Sequence, residues 1–124
     1  MNDQKIKNIL LVEDNQIVAL TEKNSLEKKG YNVLIAGSGE EAISIFEKKN
    51  TFDLVLMDID LGDGINGAEA AEIILNDREV PLIFLSGKPE SEAAKLTGKL
   101  TSCGFVSKNA GMEVLYETIK TALK

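Results

Sequence analysis

The feature that most constrains this chain is a set of short apolar runs with no polar residue in between. Ile9-Leu10-Leu11-Val12 and Leu54-Val55-Leu56-Met57 are the clearest. A strand with one wet face alternates polar and apolar residues, whereas a continuous run of strand length is covered on both faces. Segments with helical spacing separate the runs. Five such alternations fit the 124 residues. Parallel strands of this kind need right-handed helical crossovers, so the expected fold is α/β, a parallel sheet with helices on both faces.

Taken in order, the strands are expected at Ile6–Val12, Tyr31–Ala36, Asp53–Met57, Val80–Leu85 and Gly104–Val106. Asn15 suits the cap of a helix over Gln16–Lys28, with Val18, Leu20 and Leu26 as its apolar residues. Ser38 or Gly39 opens a second helix with Glu40 and Glu41 in its first turn, where negative charge is favoured. Ala42, Ile45 and Phe46 form its stripe. Ala68, Ala71 and Leu75 mark a third helix over about Ala68–Leu75. A fourth, about Glu90–Leu96, has a sparse stripe and poor helix formers around it. Leu115, Ile119 and Ala122 mark the fifth. Loops are short and residues 1–124 read as one domain.

Composition narrows the function. A formal net charge of -6 argues against direct nucleic-acid binding or attachment to acidic membranes. No apolar run is long enough to span a bilayer. The single cysteine, Cys103, excludes an internal disulfide and fits a reducing, cytoplasmic setting, where it reads as a small core residue. Histidine is absent, which excludes a His-based triad or zinc site.

The polar residues gather at strand ends. Glu13 and Asp14 follow the first strand, Asp58 ends the third, Ser86 the fourth, and Lys108 follows the fifth. In an open α/β sheet ligands bind beyond the carboxyl ends of the strands, where strand order reverses. Carboxylates held together repel, and Mg2+ with its preference for oxygen ligands and water resolves the conflict. A lysine and a hydroxyl opposite would gather phosphoryl oxygens while a carboxylate attacks phosphorus. Singly, each of these residues is also compatible with a turn, a cap or surface charge. Gly62, Asp63, Gly64, Asn66 and Gly67 are mostly turn chemistry. No GxxxxGK[ST] motif is present, so a P-loop nucleotide site is unsupported.

At these residues the chain resembles the receiver domain of two-component response regulators, the CheY-like superfamily. The motifs are Ile9-Leu10-Leu11-Val12-Glu13-Asp14-Asn15, Leu56-Met57-Asp58-Ile59, Phe84-Leu85-Ser86-Gly87 and Gly104-Phe105-Val106-Ser107-Lys108. The resemblance implies a flavodoxin-like, doubly wound, five-stranded parallel sheet of order 2-1-3-4-5 with five helices. It implies Asp58 as phosphoacceptor, taking its phosphoryl group from a phosphohistidine on a sensor histidine kinase or histidine phosphotransfer protein. Asp14 would bind Mg2+ directly, Glu13 through a metal-bound water, and Asp58 and the backbone carbonyl of Asp60 would complete the set. Ser86 and Phe105 would be the switch residues, and Lys108 would pair with Asp58 and then with its phosphate. The face of the fourth helix, fifth strand and fifth helix would be remodelled, with homodimerisation on phosphorylation as an open outcome. The activity implied is weak self-phosphorylation and autodephosphorylation, not enzymatic turnover.

Three departures from the family pattern stand out. Asn109 follows Lys108 where the family has a cis proline, and a non-proline cis bond costs about 2.5–4 kcal/mol. Gly87 replaces a common alanine and should loosen the Ser86 loop. The loop from Asp58 to Gly67 has the longer LGDGxxG form, with Asp60 and Lys88 at positions that tune phosphoryl lifetime in the family. The alternative function is a receiver-like protein-binding module that works without phosphorylation. A flavin protein is disfavoured because no aromatic residue flanks the strand-end loops. A phosphatase of the haloacid dehalogenase type, with Asp60 as second aspartate, is disfavoured by chain length and by the placement of Glu13 and Asp14.

Overall fold

The computed structural model describes residues 6–49, 51–61, 64–87 and 104–124. Five strands form one parallel sheet: β1 (Asn8–Val12), β2 (Asn32–Ala36), β3 (Leu54–Asp58), β4 (Leu82–Ser86) and β5 (Gly104–Ser107). Their order is β2-β1-β3-β4-β5, as expected. The helices are α1 (Gln16–Lys28), α2 (Gly39–Lys48), α3 (Gly67–Asp77) and α4 (Met112–Ala122). The expectation of five helices is corrected to four among the described residues. The fourth one expected, about 90–96, lies outside them, and its sequence offered the weakest support of any element. Cys103, Lys88, Gly62 and Asp63 also lie outside the described residues.

Successive side chains of a strand face opposite sides, which explains the continuous apolar runs. Leu10, Val12, Val55, Met57, Leu82 and Phe84 pack on one side with Ala42 and Phe46 of α2 and Ala70, Ala71 and Ile74 of α3. Ile9, Leu11, Leu54, Leu56, Ile83, Leu85 and Val106 pack on the other with Leu26 of α1 and Leu115 and Ile119 of α4. Both layers are dry, so the sheet has no solvated face at its centre. Phe46 is anchored further: Phe52 lies beside it at 6.4 Å between ring centroids, and the Arg78 guanidinium sits 3.9 Å over its ring. Arg78 Nη2 also donates to the Lys49 carbonyl at 3.0 Å, tying the ends of α2 and α3 together.

The caps of α1 and α2 are those the sequence suggests, while that of α3 is not among them. Asn15 Oδ1 accepts from the Ile17 and Val18 amides at 3.0 and 3.1 Å. Ser38 Oγ accepts from the Glu41 amide at 3.0 Å. Asn66 and Glu69 form a reciprocal capping box, which moves the start of α3 to Gly67. At the amino ends of the strands, Asp53 has a structural role: its Oδ2 accepts from the Asn8 amide at 2.8 Å. No helix among the described residues is long and apolar enough to cross a membrane.

Candidate phosphorylation site at the strand ends

β1 pairs with β2 on one side and β3 on the other, so strand order reverses between β1 and β3. Their carboxyl ends therefore flank the crevice in which such sheets bind ligands. Asp58 ends β3, and Glu13 directly follows β1, its amide extending the ladder to the Ala36 carbonyl at 3.0 Å. Both are buried in spite of their charge, at 1% and 3% exposure, as is Ser86 at 0%. Asp14 is exposed beside them. Oxygen atoms of Glu13, Asp14 and Asp58 all lie within 4.8 Å of one another, a spacing one cation can bridge.

Lys108 answers from the far side. Its Nζ donates to Glu13 Oε1 and to Asp58 Oδ2, each at 3.0 Å. Its amide donates to the Ser86 carbonyl at 2.8 Å, which sets the lysine at the mouth of β4 and β5. The Asp60 amide donates to Asp58 Oδ1 at 3.0 Å, and the Asn15 amide to Glu13 Oε2 at 3.2 Å. One ammonium thus serves two buried carboxylates, with a third at hand. The deficit shows in the titration. Burial, and then the charge of Glu13, push Asp58 up to about 7, against the hydrogen bond and charge of Lys108 and the Asp60 amide. For Lys108, burial favours the neutral form, but its bonds to Glu13 and Asp58 outweigh that and hold it above the usual lysine range. A site with surplus negative charge, oxygen donors and exposure on one side suits a hard divalent cation.

Six of the residues singled out from the sequence meet here: Glu13, Asp14, Asp58, Asp60, Ser86 and Lys108. Phe105 does not join them. It pairs with Phe84 in register and packs, half-buried, on the layer shared with α2 and α3. No cis peptide occurs among the described residues, so the Lys108–Asn109 bond is trans. Asn109 and Ala110 fold back instead on Ser107, whose Oγ and carbonyl accept from their amides at 3.2 and 3.0 Å. Among the described residues, a Cβ on Gly87 would meet nothing within 4 Å, so none of them forces a glycine there.

Glu22 escaped the sequence reading. Ala19 and Leu26 are the buried residues of α1, while Leu20 is 55% exposed. Glu22 lies three residues from Ala19 and four from Leu26, on the buried stripe. Its Oε1 is buried with no hydrogen-bond partner among the described residues. Burial, then the charge of Glu13, raise Glu22 to about 7, against the charge of Lys108. The folded protein therefore holds a proton that the unfolded chain releases, and stability falls as pH rises from about 4.5 to about 7. Glu22→Leu is expected to raise stability by about 1–2 kcal/mol above that window, below the full linkage value because water reaches part of the carboxyl. Urea unfolding across pH measures this. A gain that persisted unchanged at pH about 4 would contradict the titration account.

The comparisons with known proteins agree with this geometry. A family profile described as "Response regulator receiver domain" matches residues 9–120. Transcriptional regulatory protein YvrH of Bacillus subtilis is 41% identical over 91 residues, covering 73% of this chain and 37% of its own length. CAI-1 autoinducer sensor kinase/phosphatase CqsS of Vibrio cholerae is 32% identical over 117 residues, covering 91% of this chain and 17% of its own. The chain thus spans a minor part of these curated relatives. Among solved structures, the N-terminal domain of a response regulator/sensory box/GGDEF 3-domain protein from Carboxydothermus hydrogenoformans superposes with TM-score 0.84 and 38% identity, covering 94% of each chain. Response regulator protein TrrA of Thermotoga maritima, in complex with Mg(2+)-BeF, does so with TM-score 0.82 and 29% identity over 95% of this chain and all of its own. The sheet order, the strand-end cluster and these matches converge: the chain belongs to the response regulator receiver domain family of two-component signalling, phosphoacceptor switches with weak, reversible phosphorylation chemistry in place of enzymatic turnover.

Proposed function

We propose that Asp58 accepts the phosphoryl group and that residues 1–124 act as one receiver unit. The observation that carries this reading is the placement of the Asp58 carboxylate. It is buried, bonded to Lys108 at 3.0 Å through one oxygen, and within 4.8 Å of the carboxylates of Glu13 and Asp14. An Asp58 oxygen attacks phosphorus of a phosphohistidine. The P–O bond forms, the P–N bond breaks, and the imidazole takes up the electron pair and a proton. The product is an acyl phosphate. The donor is a sensor histidine kinase or a histidine phosphotransfer protein, a reading supported by the likeness to sensor kinases.

Glu13, Asp14, Asp58 and the Asp60 carbonyl would hold Mg2+, which supplies positive charge against the phosphoryl oxygens. The chain supplies the rest. Lys108 stays protonated beside Asp58 and would turn to the phosphate once the carboxylate is phosphorylated. The Asp60 amide holds Asp58 Oδ1, leaving the other oxygen toward Lys108. Ser86 sits beside Asp58 at the end of the neighbouring strand, and the β4–β5 register pairs it with Ser107 and Phe84 with Phe105. A shift of Ser86 toward a new phosphate would therefore reach Phe105 and the face formed by β5 and α4, a two-position switch biased by charge.

Intact mass after incubation with acetyl phosphate tests the assignment. With Mg2+ the protein is expected to gain one phosphoryl group, mapped to the peptide containing Asp58, and EDTA is expected to prevent the gain. Labelling at another residue, or equal labelling in EDTA, would remove the basis for this reading.

A further inference from the structure

The loop between β3 and α3 is held at a point that phosphoacceptor chemistry does not explain. Glu40, in the first turn of α2, reaches a residue 25 positions away: the Ile65 amide donates to its Oε2 at 3.0 Å. Gly64, at φ +95°, lays its backbone against the same carboxylate. A Cβ there would stand 2.6 Å from Oε2 and 2.9 Å from Oε1. A second slot lies beneath. A Cβ on Gly39 would come within 2.7 Å of Ile65 Cγ1 and 3.2 Å of Ala70 Cβ. Two glycines, one on each partner, thus let the loop seat on the start of α2. The two ends of the loop are tied by other bonds, the Asp60 amide to Asp58 Oδ1 at 3.0 Å and the Gly67 amide to the Ile59 carbonyl at 3.2 Å.

We propose that Glu40 is a positioning residue for the phosphorylation site: by holding the Gly64–Ile65 backbone it sets the entry to α3, where the Gly67 amide bonds the Ile59 carbonyl, and with it the Ile59–Asp60 backbone that would face the cation and the acyl phosphate. The proposal rests on the reading of Asp58, Asp14 and Asp60 given above. Its physical basis is entropy. A backbone already held at Ile65 and Gly67 in the free protein has less freedom to lose when a cation recruits the Asp60 carbonyl. A rival explanation is that Glu40 merely complements the dipole of α2. Glu41 separates the two. It shares that first turn, yet its Oε1 accepts from the Gly37 amide at 2.6 Å, and among the described residues it has no hydrogen bond to the loop.

The experiment measures Mg2+ affinity by titration, amide exchange at Ile65, and the rate of phosphorylation by acetyl phosphate. Wild type, Glu40→Gln, Glu40→Ala, Glu41→Ala and Gly64→Ala are compared, with thermal unfolding to establish that each is folded. Glu40→Ala and Gly64→Ala are expected to weaken Mg2+ binding about three- to tenfold, the scale of ordering one backbone residue, and to speed exchange at Ile65. Glu40→Gln keeps an acceptor oxygen and is expected to stay within about twofold of wild type, as is Glu41→Ala. If Glu40→Ala binds Mg2+ as wild type does, or if Glu41→Ala loses as much, the positioning role is wrong while the Asp58 reading stands. If wild type itself binds no Mg2+, the Asp58 reading falls and takes this proposal with it, whatever Ile65 exchange shows.

Discussion

Asp58→Asn is expected to gain no phosphoryl group from acetyl phosphate and Mg2+ under conditions that label the wild type, while unfolding at a higher temperature than wild type in EDTA. Both effects have one origin. Asp58 is 1% exposed and sits against Glu13, so its negative charge is costly until a cation or a proton compensates it. Burial and Glu13 raise it to about 7. The folded state then keeps a proton that the unfolded chain would lose, and stability drops as pH climbs from the ordinary carboxylate range toward about 7. The amide removes that loss, and Lys108 retains Glu13 as a partner at 3.0 Å. A gain of about 2 kcal/mol is expected at pH about 8 without metal, shrinking toward zero near pH about 4 and in saturating Mg2+. Mass spectrometry and thermal unfolding across pH read the two effects. An asparagine variant less stable than wild type at high pH would mean that the carboxylate is a net stabiliser and that Lys108 more than offsets its burial.

Gly67→Ala is expected to lower stability by about 2–4 kcal/mol, with no change in the denaturant dependence of the unfolding free energy. Gly67 begins α3 and lies directly on the strand end that carries Asp58. A Cβ at this position would overlap the Asp58 carbonyl oxygen and stand 2.9 Å from Ile59 Cα. Those are backbone atoms of a central strand and the residue after it, and no rotamer can move them aside. The first turn of α3 would have to lift away, drawing Ala70, Ala71 and Ile74 out of a fully packed layer. Gly87→Ala is the matched control, because its Cβ would meet none of the described residues within 4 Å, and it is expected to change stability by less than about 0.5 kcal/mol. Equal urea midpoints for the two variants would show that α3 can yield at this contact.

The contrast between these glycines marks what could and could not be read from the chain. Strands such as Ile9–Val12 were legible because a segment buried on both faces leaves no room for polar residues. The cluster was legible because strand ends share one edge, so Glu13, Asp14, Asp58, Ser86 and Lys108 were placed together by topology alone. Helix faces were harder. In α1, Leu20 looks like core and is exposed, while the true stripe runs through Ala19, Glu22 and Leu26. Alanine contributes a weak apolar signal, and a glutamate within a stripe cancels part of it. In α3, Ala70 and Ile74 belong to the buried set alongside Ala68 and Ala71, because the helix lies close to the sheet over a broad face of small residues. The Glu40–Ile65 bond was invisible, since residues 25 apart in different loops and helices leave no periodic trace. Gly67 and Gly87 look alike as letters, and only the distance to neighbouring backbone separates them.

The burial of Glu13 and Asp58 has a consequence for how the domain would behave in different media. Dissolved ions damp forces between charges that face water, within a Debye length of about 8 Å at physiological ionic strength, but reach a dry pair far less. Charge added at Asp58 is therefore felt by the buried Glu13 carboxylate at nearly full strength in dilute or concentrated salt, while Lys108, whose side chain is 28% exposed, is screened more. Contacts made by the rim, with Asp14 and Asp60 exposed, lack that protection. Encounter with a partner should thus depend on the saltiness of the surroundings more steeply than the internal response to a phosphoryl group once it is in place.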